Sequence, residues 1–172
     1  MTAASGSFRG LKVWFVLAVS SLSYGCSSGI AAPQEGLPVI EACFVSEAGT
    51  VPVELEVASS SEQRQKGLMG RKSMAPKAGM LFEYNEPRQA SHGFWMYNTL
   101  IPLDIAFLHQ DGVIGSIRQM VPCASASGSD CPTYPAGVPF TQAVEMTAGF
   151  FRESGIKLGD RLYLGEGNCP ER

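Results

Sequence analysis

Apolar residues recur along much of this chain with the period of a strand. Val53, Leu55 and Val57 alternate with Glu54 and Glu56, the pattern of a strand with one buried and one wet face. Residues 39–45 form a second such stretch, and Glu47-Ala48-Gly49 between the two is a hairpin signal. Further strands are expected over 80–82, 94–96, 103–108, 113–121, 141–146 and 161–164. Pro76 and Gly79, a bend over 98–102, Gln110-Asp111-Gly112, a long loop over 122–139 and Gly159-Asp160 separate them. Ser59-Ser60-Ser61 ahead of Glu62 and Gln63 is a helix start, because a serine hydroxyl caps the free amides of a first turn. That helix should run to about Met69 and stop at Gly70; a second, over 148–154, should stop at Gly155. Many short strands with one or two short helices predict a mostly β fold, a small sandwich or barrel.

The first residues have a different character. Arg9 and Lys12 precede an apolar run over 13–22, about half of the roughly 20 residues that span a bilayer. A signal peptide over residues 1–25 is expected, followed by a Ser/Gly/Ala/Pro tether over 26–37 and one β-rich domain over 38–172. Gly25-Cys26-Ser27-Ser28 resembles a bacterial lipoprotein junction, although Ser23 stands where such junctions prefer Leu. Cleavage near Ala31-Ala32 is the alternative. The expected location is therefore exported: periplasmic and anchored through a lipid on Cys26, or else soluble in the periplasm or secreted.

Cysteine arithmetic agrees with export. Five cysteines are an awkward number for an oxidising compartment, and lipidation of Cys26 leaves four. Cys123 and Cys131 lie close together in the long loop, which pairs them and leaves Cys43 for Cys169. Charge narrows the partners. Lys and Arg total 13 against 16 acidic residues, for a net charge of -3, and no basic cluster tracks a phosphate backbone. Nucleic acid is not an expected partner, a membrane only through the lipid, and the domain is expected to be a monomer.

A longer pattern then emerges. Arg64-x-x-Gly67-Leu68-Met69-x-Arg71, Gly79-Met80-Leu81-Phe82 and Phe94-Trp95-Met96-x-Asn98-Thr99-x-x-Pro102-Leu103-Asp104 resemble the domain of unknown function 192 family. Asp111-Gly112, Pro122, Tyr134, Glu145, Gly149 and Gly155-Ile156-x-x-Gly159-Asp160 fit the same pattern, which covers about residues 51 to 164. The resemblance implies a small jelly-roll-like β fold and no established biochemical role. Tyr97 stands where many relatives carry Lys.

Several side chains are candidates for chemistry. Arg64 and Arg71 can grip an anion, because guanidinium forks match carboxylate and phosphate. They can equally pair with internal acids, for which Asp104 and Glu145, each alone in an apolar strand, are ready. Those two carboxyls are also the candidates for an acid–base pair. Strand alternation puts Phe94 and Met96 on one face and Trp95 and Tyr97 on the other, so Trp95 can stack on a ligand or lie in the core. Asn98 and Thr99 begin a bend where short polar side chains cap backbone groups. His92 and His109 have no ligand partners at zinc spacing, and Met69, Met74, Met80, Met96, Met120 and Met146 lie mostly in apolar runs. Neither a metal nor a cofactor is expected. Two functions remain: a non-catalytic accessory module that binds a polar small molecule or an envelope protein, and an envelope hydrolase using Asp104 or Glu145.

Overall fold

The computed structural model describes residues 1–2, 31–125, 127–165, 167 and 169–170. The segments of period two form β1 (Val39–Ser46), β2 (Gly49–Ala58), β3 (Ala78–Arg88), β4 (Gly93–Trp95), β5 (Leu103–Leu108), β6 (Ile114–Met120), β7 (Thr133–Pro135), β8 (Phe140–Thr147) and β9 (Arg161–Leu164). Two helices interrupt them, α1 (Ser61–Lys66) and α2 (Phe150–Glu153). Seven strands make one sheet in the order β6-β5-β8-β3-β2-β1-β9, and β4 with β7 makes a small second one. All pairings are antiparallel except β2 with β3. The barrel considered from sequence is not closed. The sheet curls until its two ends touch at one corner, where Ile114 N donates to Asp160 O at 2.8 Å and Leu162 N to Gly112 O at 2.9 Å.

Alternation sorts the apolar side chains onto two faces. The concave face buries Phe44, Leu55, Leu81, Ala106, Val144 and Phe151. The other buries Met80, Phe82, Ile105, Phe107, Phe140 and Ala143, and is roofed by Leu68, Phe94 and Met96. β5, next to the edge strand β6, is buried at every position because both faces are covered.

Parallel pairing of β2 with β3 requires a crossover, and α1 lies on it. Its start is fixed by a capping box: Gln63 N donates to Ser60 Oγ, and the Gln63 side chain accepts from Ser60 N. The helix ends at Lys66, three residues short of the expected Met69, because Gly67 turns the chain with φ of 47°. Ser60→Ala is expected to cost about 1 kcal/mol of stability, read from urea unfolding; an unchanged midpoint would show that the crossover holds α1 without its cap.

Both expected disulfides are present, Cys43–Cys169 and Cys123–Cys131. The end of the segment expected to be a tether is docked. Gln34 is buried and its amide donates to Gln63 O and Gly67 O at 3.1 and 2.8 Å. The expected signal segment and Cys26 lie outside the described residues. Among those residues no helix is long and apolar enough to cross a membrane.

Candidate functional site

The site residues expected from sequence, Asn98 apart, separate into three places. Arg71 leaves the crossover toward β2, where its guanidinium forks onto Glu56, one bond being 2.7 Å. The expectation that Asp104 or Glu145 would partner an arginine is thus corrected: the acid is Glu56, which alternation had put on the wet face of β2. Asp104 faces the concave side and accepts from Gly149 N at 2.8 Å, at the start of α2. Burial raises its pKa, and the Gly149 amide opposes that shift.

Asp104 and Glu145 cannot act as a pair. Glu145 lies opposite Ile105 across β5 and β8. Successive side chains alternate across a sheet, so Asp104 and Glu145 project from opposite faces.

The third place is a groove of about 380 Å³ beside α1. Arg64 comes from α1, Tyr84 and Arg88 from β3, His92 from the turn before β4, and Trp95 from β4 itself. The Tyr84 ring carries a guanidinium at 4.7 Å from Arg64 and another at 5.3 Å from Arg88. Arg64 Nη1 also donates to Glu83 O at 2.9 Å and to Ser59 O. Neither arginine has a carboxylate partner among the described residues. Arg88 Nε is buried with no acceptor among the described residues.

Arg88 Nη2 lies 3.1 Å from His92 Nδ1. Guanidinium only donates, so Nδ1 must be the accepting nitrogen and the ring proton sits on Nε2. Burial, then the positive charges of Arg88 and Arg64, lower the His92 pKa and keep that ring neutral.

Trp95 is 40% exposed at the groove, while Phe94 and Met96 enter the core, as alternation requires. The loop closed by Cys123–Cys131 backs it: a Cβ on Gly128 would stand 2.7 Å from the indole, so only glycine lets the loop lie this close. Trp95 and Tyr97 are ring neighbours at 5.4 Å.

Below the groove, and sharing Arg64, Gln65, Phe94 and Trp95 with it, is a cavity of about 20 Å³. Thr99 and Glu145 line its inner end. Glu145 is 4% exposed, and burial pushes its pKa up to about 8. Asn98 takes part in neither space; its left-handed backbone, with φ of 54°, presents its carbonyl to Gly70 N.

Sequence reasoning thus found Arg64, Trp95, Thr99 and Glu145 but not Tyr84 or Arg88, and weighed His92 only as a metal ligand. Phe82 and Tyr84 stand two apart, which was the available signal that β3 continues past Phe82.

The model of the family described as domain of unknown function 192, Uncharacterized ACR, matches residues 44–164. No curated protein matches the chain. Similar crystal structures include the following two. One, from Sinorhizobium meliloti 1021 and provisionally named a transcription regulator, is 32% identical with a TM-score of 0.68, over 76% of this chain and 97% of that one. The other, a protein of unknown function from Novosphingobium aromaticivorans DSM 12444, is 31% identical with a TM-score of 0.68, over 80% of this chain and 94% of that one.

Proposed function

This chain belongs to the domain of unknown function 192 family, a membership that assigns no chemistry, and we propose from the geometry that it is a non-catalytic module binding a small anionic molecule in the Arg64–Arg88 groove. One observation carries this reading: two guanidiniums flank Tyr84 without a carboxylate partner among the described residues, and one of them keeps a buried Nε unpaired. A carboxylate or phosphate would satisfy them, and Trp95 offers a flat apolar wall beside it. Neutral His92 adds an Nε2–H donor. The regulatory role in the name of the Sinorhizobium protein finds no support in charge here, with 13 basic residues against 16 acidic ones.

Two disulfides support a place outside the reducing cytosol. The signal segment and the lipid on Cys26 belong to the same reading. Of the two acids in the hydrolase alternative, Asp104 loses its support because it faces away from the groove. Glu145 keeps some, since its buried carboxyl lies beneath it.

The anion reading is tested by thermal unfolding of wild type, Arg64→Gln and Arg88→Gln with acetate, phosphate or sulfate. At about a hundred times its dissociation constant, a bound anion stabilises wild type by about 2.7 kcal/mol. The variants are expected to lose most of that gain. Equal protection of all three proteins, or of none, overturns the assignment.

A further inference from the structure

The cavity beneath the groove adds a buried acceptor to a groove that offers donors. Above, Arg64, Arg88 and His92 Nε2 offer donors. Below, the Glu145 carboxyl is a buried acceptor whose altered ionisation has burial as its cause, with no donor to it among the described residues. The Thr99 hydroxyl beside it makes one long bond, 3.5 Å to Tyr97 O. The space of about 20 Å³ accommodates one head group the size of a water molecule.

Arg64 and Lys66 face this cavity from α1, and Tyr84 stands near it on β3, its pKa raised mainly by burial and to a lesser extent by Glu145. From β5 the residue opposite Glu145 is Ile105, which is apolar. Among the described residues no fixed cation forks onto the carboxyl as Arg71 does onto Glu56. A hydroxyl would bring one donor to it. An ammonium brings three, together with the charge that an isolated buried carboxylate lacks.

We propose that this cavity is the inner subsite of the groove and takes the primary ammonium of a small zwitterion whose carboxylate lies on Arg64 and Arg88. The inference rests on the anion reading of the groove. It replaces an unspecified anion by a molecule with a carboxylate at one end and a protonated amine at the other. Glu145 binds that amine as a carboxylate, so complex formation at neutral pH releases its proton to solvent.

The test is calorimetric titration of the full chain with β-alanine, γ-aminobutyrate and δ-aminovalerate, which place the two charges at graded distances. Their N-acetyl forms and the matching hydroxy acids are run beside them. At least one amine is expected to bind, with affinity rising roughly 50-fold between about pH 6 and about pH 8 as Glu145 ionises. Acetylation should abolish that rise, and so should Glu145→Gln, whose fold is checked by its unfolding curve. Hydroxy or N-acetyl forms that bind as well as the amines overturn the inner subsite and leave the anion groove standing. The inner subsite is overturned in the same way if no amine binds while acetate, phosphate or sulfate still protects wild type but not Arg88→Gln. If no anion of any kind binds, both readings fall.

Discussion

Glu145→Gln is expected to stabilise the protein by several kcal/mol at about pH 9 and by almost nothing at about pH 4. The carboxyl is held up to about 8 in the folded chain, against 4.5 for the ordinary group, because β8 buries it against Phe82 and Phe94. Below the lower value both states are protonated and nothing is lost. Between the two, the unfolded chain releases its proton while the folded chain retains it, so stability falls as pH rises. Above the upper value the loss is complete, at about 5 kcal/mol as an upper bound. The amide has no such titration. Urea unfolding of both proteins across this range therefore gives curves that meet in acid and diverge in base. Parallel curves would mean that the carboxyl finds donors in solution that the described residues do not supply.

Removing Cys43 and Cys169 together, as the double alanine variant, is expected to cost about 4–5 kcal/mol. The two residues are 126 apart in sequence, so their bond closes most of the domain into one loop and sharply restricts the unfolded chain. Cys123–Cys131 spans only 8 residues, and by the same chain-entropy relation its removal should cost about 2–3 kcal/mol. Urea unfolding of each double variant measures the difference. Equal losses would show that the bridges act on the native state instead, the short one by holding Gly128 against Trp95.

Local pattern made the strands legible, and three-dimensional pairing was what it could not supply. The β1–β2 hairpin, β5 with its single charge at Asp104 and the cap at Ser60 follow from neighbours in sequence, and so were found within a few residues. The loop over 122–139 was harder. It contains β7, three residues that become a strand only by pairing with β4. The groove failed for a related reason. Arg88 follows Pro87, and the bulge between Glu83 and Arg88 breaks the alternation that would have carried β3 that far. Glu56 looked wet because its strand alternates, yet the crossover after α1 brings Arg71 back over it. Glu145 was legible as a lone charge in an apolar strand, but its face was fixed only by the register of β8 against β5.

The parallel crossover also decides which pieces of the chain could be useful alone. Arg64, Tyr84, Arg88 and Trp95 all fall within one continuous stretch, before β5 begins. The floor beneath them is Glu145 on β8, which pairs with both β3 and β5 and so closes the middle of the sheet. A fragment truncated before β8 would carry every upper wall of the groove and no bottom. Reconstitution would then need the C-terminal piece added back in trans, and recovered ligand capture would report that the two halves had recombined.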